Sequence, residues 1–322
     1  MFNNYKNKIL PLVILIVFAI SFGLLIGVLI GGRNKETKTE SHEQGYSYIS
    51  PLIECFSDKS DTPENYKLQS KIEELIDQKI KTKEISEASV YFRDLANGPW
   101  IGVNEGALFS PASLLKVPIM ITYYRLAENN PDILNKKITV DNINHNETIP
   151  NIKPEKFIEA GKTYTIQELI NYMIIESDNH ASFVLINNLE ADALNKTFND
   201  LGIDTPSLNK PENYMTVKEY ASFFRVLYNA SYLNKNYSEK ALSILAQSKY
   251  KNGLVAGLPI NTKIAHKFGE REVAETDQLH DCGIVYKSHK DYLICIMTRG
   301  NDFSTLTKAI QDLSSLVYQN IN

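Results

Sequence analysis

Apolar residues recur along this chain with three spacings, and each spacing predicts a different element. From Ile9 to Ile30 they run almost unbroken, interrupted only by Pro11, Ser21, Gly23 and Gly27. About 20 such residues, rising 1.5 Å each in a helix, span a bilayer's hydrocarbon layer, so this segment is expected to cross one. Residues 67–82 instead place Leu68, Ile72, Leu75, Ile76 and Ile80 on one helical face. The stretches ASVYFRDL and WIGVNE, joined at Asn97-Gly98-Pro99, read as two strands. Helical spacing then holds for roughly 140 residues. Capping boxes at Thr165-x-x-Glu168 and Thr216-x-x-Glu219 mark two helix starts there, and Gly202 is expected to end a helix after Leu201. Strand character returns at 262–269, in HDCGIVYK and in DYLICIMT, the last two joined at Ser288-His289. A final amphipathic helix is expected from about Ser304 to Tyr318.

The order is helix, two strands, many helices, three strands, helix. An α/β fold satisfies it: an antiparallel sheet flanked on one face by both terminal helices, with an all-α subdomain inserted. Residues 1–32 are read as a signal anchor, 33–66 as a polar tether and 67–322 as the folded domain. Within that domain, 67–112 and 262–322 form the sheet part and 113–261 the helical part. Lys6 and Lys8 precede the apolar run and no small-residue cleavage site follows it. This predicts a single-pass membrane protein whose folded domain is extracytoplasmic, although Arg33, Lys35 and Lys38 pull the orientation the other way. A cleaved signal peptide is the alternative, and it exports the domain equally.

Charge and cysteine content narrow the chemistry. With 34 Lys+Arg against 38 Asp+Glu the formal charge is −4, which argues against nucleic acid as a partner. Cys55, Cys282 and Cys295 are too few for a disulfide scaffold. With no Cys-x-x-Cys and no His pair at helical spacing, no metal site or cofactor is expected. Cys282 and Cys295 lie symmetrically about the Ser288-His289 turn, where two buried free thiols are expected in preference to a bridge.

Three short motifs carry the candidate chemistry. Ser113-Leu114-Leu115-Lys116 opens a predicted helix, so Lys116 can reach the Ser113 hydroxyl one turn away. A lysine held neutral can take the proton that makes serine nucleophilic. The bland reading of Ser113 is a helix cap, and Ser248-x-x-Lys251 matches the same pattern. Ser177-Asp178-Asn179 follows a predicted helix and is either a turn or a loop presenting a hydroxyl and an amide to a cleft. Lys267-Phe268-Gly269 lies on a predicted strand, where Gly269 would admit a close backbone; Lys251-Asn252-Gly253 matches it equally well.

In this order, and on these elements, the motifs resemble those of penicillin-recognising serine enzymes, specifically the class A β-lactamase-like serine hydrolases. FSPASLLKVPIM is similar to their nucleophile helix and HDCGIVY to the strand after Lys-x-Gly, and the resemblance covers roughly residues 67–320. It implies a β-lactamase/transpeptidase-like fold with Ser113 as the acylated nucleophile and Lys116 as its base or relay. Ser177 would pass a proton to the leaving nitrogen, Asn179 would orient the substrate amide, and Lys267 would attract a substrate carboxylate. The backbone N–H groups of Ser113 and Glu270, the latter following Gly269, would form the oxyanion hole. The implied substrates are β-lactams or acyl-D-Ala-D-Ala peptides. A cell-wall DD-peptidase (a penicillin-binding protein) and a non-catalytic cell-wall sensor are the alternatives.

The sequence departs from the family's pattern twice. Phe268 replaces the usual Thr or Ser hydroxyl, for which Arg271 or Arg299 could compensate. The Glu-x-x-Leu-Asn loop whose Glu activates the deacylating water is absent, which implies slow deacylation. Glu212, in the short loop that remains, is the nearby substitute. Of the histidines, His266 is expected to pack on the face opposite Lys267, while His180 and His280 are candidates to line the cleft.

Overall fold

A computed structural model describes residues 45–51, 62–96, 98–141, 150–205, 212, 214–272, 276–288 and 290–321, all within one compact unit. The apolar run expected to span a membrane lies outside the described residues, as does Cys55. Among the described residues no helix is long and apolar enough to cross a membrane.

Helix α1 (Pro63–Lys81) starts where Thr62 accepts the Asn65 N–H, and it buries Leu68, Ile72 and Ile76. Strands β1 (Glu87–Asp94) and β2 (Trp100–Val103) pair as the expected hairpin, followed by β3 (Leu108–Phe109). A 3-10 turn (Ala112–Leu115) runs into α2 (Lys116–Asn129). Next come β4 (Lys137–Thr139), β5 (Thr163–Thr165), α3 (Ile166–Asn171) and a π-helical turn (Tyr172–Glu176). The helical part continues with α4 (Asn179–Asn187), α5 (Ala191–Asp200), β6 (Met215–Thr216), α6 (Val217–Tyr228) and α7 (Lys235–Leu245). Strands β7 (Lys263–Arg271), β8 (Asp277–Tyr286) and β9 (Tyr292–Gly300) and helix α8 (Phe303–Asn320) complete the chain. Both capping boxes form, and Gly202 takes φ +66° after α5.

The inserted subdomain is not all-α. An antiparallel ladder joins β4 to β5 within it and another ties its β6 to β3 just ahead of it, and segments of two or three residues are too short for their alternation to register in a sequence.

The main sheet has the order β2-β1-β9-β8-β7, with every neighbouring pair antiparallel. Strand alternation divides its apolar side chains between two cores. Val90, Phe92, Ile294 and Ile296 pack with Leu68 and Ile72 of α1 and with Leu306, Ile310 and Leu313 of α8. Tyr91, Leu293, Cys295 and Met297 turn the other way, towards the helical part. Each fully buried Leu or Ile contributes about 1.5–3 kcal/mol relative to exposure, so the two faces fix the register firmly. Strand β7 is left at the edge, with one side free to meet the start of α2.

The register also sets Cys282 directly opposite Cys295, with Cα atoms 4.0 Å apart, and the two sulfurs are joined in a disulfide. The free thiols expected from the sequence are therefore not found; the symmetry about the turn survives into the pairing.

Residues 45–51, inside the stretch read as a tether, pack against the domain. Glu239 accepts the N–H groups of Ser47, Tyr48 and Ile49. Ile49 is fully buried, and Ser50 N–H donates to the Tyr228 carbonyl. Backbone donors leave no mark in a polar sequence, which hid this docking.

Candidate active site

The site is built where the edge of β7 meets the turn that starts α2. Ala112 holds φ +48°, a left-handed conformation that strains a residue with a Cβ by about 1–3 kcal/mol unless its surroundings enforce it. Strand β8 supplies the enforcement. Gln278 Oε1 accepts the Ser110 N–H at 3.0 Å, and His280 Nε2 lies 2.9 Å from the Ser110 carbonyl. On the far side of the turn, the Tyr220 hydroxyl donates to the Leu114 carbonyl at 3.0 Å. Ser113 is thus held on a fixed, strained turn, and its side chain caps no helix.

Lys116, almost wholly buried, sits among four oxygens. Its Nζ lies 3.0 Å from Ser113 Oγ, 2.7 Å from the Ser177 carbonyl, 3.1 Å from Ser177 Oγ and 2.7 Å from Asn179 Oδ1. The Ser177 carbonyl and Asn179 Oδ1 can only accept, so Nζ donates to these two, while the Ser113 and Ser177 hydroxyls can either accept from it or donate to it. A neutral Nζ has a lone pair that can receive the Ser113 proton.

Ser177 reaches Lys116 because the chain leaves α3 through the π-helical turn and places Ser177 at φ +59°. Such π turns and left-handed residues cluster at functional sites. Asp178 then caps α4 by accepting the His180 and Ala181 N–H groups, while its other oxygen accepts the Ile158 N–H at 2.8 Å. The Ser-Asp-Asn segment is therefore pinned to the loop beside it as well as to the helix after it.

From the sheet side, Lys267 is completely buried and donates to Ser177 Oγ at 2.9 Å and to the Phe268 carbonyl at 2.8 Å. Burial pushes its ammonium well below the ordinary lysine value, and the neighbouring Lys116 adds to that. Gly269 has a different task from the one its sequence suggests. A Cβ there would stand 2.8 Å from the Pro111 carbonyl oxygen and 3.0 Å from Leu114 N, so glycine lets β7 close onto the nucleophile turn. This approach sets β7 against the turn that carries Ser113. The carboxylate of Glu270 accepts the Ile152 N–H at 3.0 and 3.2 Å.

The structure therefore brings Ser113, Lys116, Ser177, Asn179, Lys267, Gly269 and Glu270 together. A buried lysine against a serine on a strained turn, with a second lysine and hydroxyl within reach, is a machine for acyl transfer. Residues 67–321 match the model of the beta-lactamase enzyme family. The chain belongs to that family. It is accordingly a serine hydrolase of the acyl-enzyme type. Solved structures show the same fold. PBP-A is 24% identical, with 79% of this chain and 95% of that one covered and a TM-score of 0.66. A class A beta-lactamase representative from Bacteroides cellulosilyticus is 21% identical, covering 79% and 98%, with a TM-score of 0.68. A variant of the TLA-1 extended-spectrum beta-lactamase is 17% identical, covering 80% and 98%, also at 0.68. One PBP-A structure is an acyl-enzyme complex with penicillin G. No curated protein matches the chain.

Against the family's pattern, the two departures have structural counterparts. Phe268 turns away from Lys267's hydroxyl partner and packs its ring 4.3 Å from that of Tyr250, while the Lys267 ammonium lies 4.0 Å from the Phe268 ring centroid. Neither arginine stands in for the missing hydroxyl. Arg299 pairs with Glu87, donates to the Leu108 carbonyl and covers the Phe109 ring. Arg271 pairs with Glu212, and both are half exposed. Glu212 thus spends its carboxylate on a surface ion pair.

The histidines divide differently from the expectation. His266 packs fully buried, with Nδ1 2.9 Å from Asp281 Oδ1. His280 is equally buried and does not line the cleft; it holds Ser110 from behind while its Nδ1 accepts the Thr298 N–H at 3.3 Å. One nitrogen donates and the other accepts, so the ring is neutral, and burial lowers its pKa to about 4. The decoy Ser248 is buried with its hydroxyl unpaired, away from this constellation. Gln278 and Tyr220 are residues that the sequence does not single out, while Asp178 and His280 were singled out without the bracing roles they have.

Proposed function

We propose that this protein is a membrane-anchored, extracytoplasmic enzyme in which Ser113 is acylated by β-lactams and opens their ring, with slow deacylation. The observation that carries the reading is Lys116 Nζ at 3.0 Å from Ser113 Oγ, in a pocket where that amine is nearly sealed from water. Lys116 takes the Ser113 proton as the oxygen attacks the lactam carbonyl. The N–H groups of Ser113 and Glu270 receive the developing oxyanion; donors of this kind each account for about 10²–10³ in rate. Asn179 has its Oδ1 turned to Lys116, which leaves its amide nitrogen to meet the acyl side chain's carbonyl. Ser177 delivers a proton to the leaving nitrogen.

Slow deacylation follows from the water-activating step. The short loop carries no Glu-x-x-Leu-Asn, and Glu212 is engaged by Arg271. The same deficit favours a cell-wall DD-peptidase acting on acyl-D-Ala-D-Ala as the second reading, because a penicillin-binding protein also traps β-lactams. The apolar run from Ile9 to Ile30 would hold the enzyme at the membrane. A stopped-flow assay with a chromogenic cephalosporin separates the cases. A burst of about one equivalent followed by slow turnover supports the proposal; fast turnover without a burst contradicts it.

A further inference from the structure

The subsite next to the oxyanion donors carries the wrong charge for an anionic substrate, and three observations agree on this. First, the hydroxyl that would bind a carboxylate is replaced by Phe268, whose ring packs on Tyr250. Second, Arg271, the cation three residues along the same strand, is paired with Glu212. Third, Glu270, the residue after Gly269 whose N–H the proposed function assigns to the oxyanion, adds a carboxylate there, and that carboxylate accepts the Ile152 N–H of the helical part. Lys267 remains, but it is sealed from solvent and already donates to Ser177 and to the Phe268 carbonyl.

Among the described residues, four groups act on the charge of Glu270. Lys267 on its own strand and Lys116 on α2 favour its charge, as does the Ile152 N–H, whereas Glu272 opposes it, and burial pushes the carboxyl up. A charged group within several ångströms in a partly dry site changes relative rates by about tenfold or more.

Resting on the acyl-transfer reading above, we propose that Glu270 is a specificity determinant that disfavours a carboxylate beside the scissile bond. The enzyme's preferred substrates are then amides or esters that are uncharged or cationic at that position. The charge acts on which substrate is accepted, through repulsion of the ground-state and transition-state anion, and leaves the nucleophile and its base as they are.

The test uses penicillin G and its neutral methyl ester, which differ only in that carboxylate. Acylation rates of Ser113 by both are followed by intact mass for the full chain and for Glu270→Gln, which keeps the backbone N–H and an acceptor for Ile152. Glu270→Asn, a shorter neutral side chain, serves as the second variant should the first fold poorly. The acid-to-ester rate ratio should rise about tenfold in either variant relative to wild type. An unchanged ratio with Ser113 labelled by both compounds overturns this proposal alone. No label on wild type from either compound overturns the acyl-transfer reading, and this proposal with it.

Discussion

Lys267 Nζ lies 2.9 Å from Ser177 Oγ, and Lys116 Nζ lies 3.1 Å from the same oxygen. A hydroxyl oxygen has two lone pairs, so when both amines donate to it the Ser177 hydrogen must point elsewhere. In the proposed mechanism it points towards the leaving nitrogen. This arrangement readies Ser177 to give its proton to a leaving nitrogen and to recover one from an amine. Lys267 suits the second task, because burial and Lys116 together make it a stronger acid than an ordinary lysine.

Ser177→Ala should therefore slow Ser113 acylation by about 10²–10⁴-fold, the usual worth of a positioned proton donor. Acylation rates with a chromogenic cephalosporin check this. A loss below threefold would assign the proton transfer to another group.

Gly269→Ala tests the closeness of β7 to the nucleophile turn. The added Cβ meets backbone at Pro111 and Leu114, so the strand must shift and carry the Glu270 N–H with it. Acylation should fall by at least about 10²-fold. Gly106→Ala, where an added Cβ has nothing within 4 Å, is the control for glycine replacement as such, read by the same assay.

Much of this was legible in the sequence, for reasons that differ by residue. The sheet strands announce themselves as apolar runs because both their faces are buried, the terminal helices because one face of each is buried, and the capping boxes at Thr165 and Thr216 name their own hydrogen bonds. Ser113, Lys116, Ser177 and Asn179 are legible as motifs because their spacing within each motif is short. The φ of Ala112 is invisible, because alanine gives no hint that Gln278 and His280, more than 160 residues away, will hold its neighbour Ser110. The docking of Tyr46 to Ser50 is equally hidden, since Glu239 binds backbone there. Gly269 was legible as a close-approach residue, but not that its own chain is what approaches.

Glu212→Gln should leave the lifetime of the acyl-enzyme within about twofold of wild type, because its carboxylate is engaged in an exposed ion pair with Arg271 that contributes little. Adduct decay after removal of free β-lactam measures it. A strongly lengthened lifetime would make Glu212 the deacylation base.

His280 predicts acid sensitivity. Its folded pKa is lowered from 6.5 to about 4, so the unfolded chain binds the extra proton between those values. The stabilisation is fully present above about pH 6.5 and is lost as pH falls towards 4, amounting to about 3 kcal/mol for this one buried group. Thermal unfolding followed from pH 7 to pH 4 should show a steeper decline in wild type than in His280→Gln, which cannot take up a proton. Parallel declines would remove His280 as the cause.

Whether Ser113 is acylated and keeps its acyl group is read from intact mass of the purified chain during incubation with penicillin G, followed by peptide mapping. A single adduct is expected, located on Ser113, accumulating to about one equivalent and decaying slowly, absent from Ser113→Ala and retained in Ser248→Ala. An adduct that persists in Ser113→Ala, or maps to Ser248, would contradict that expectation.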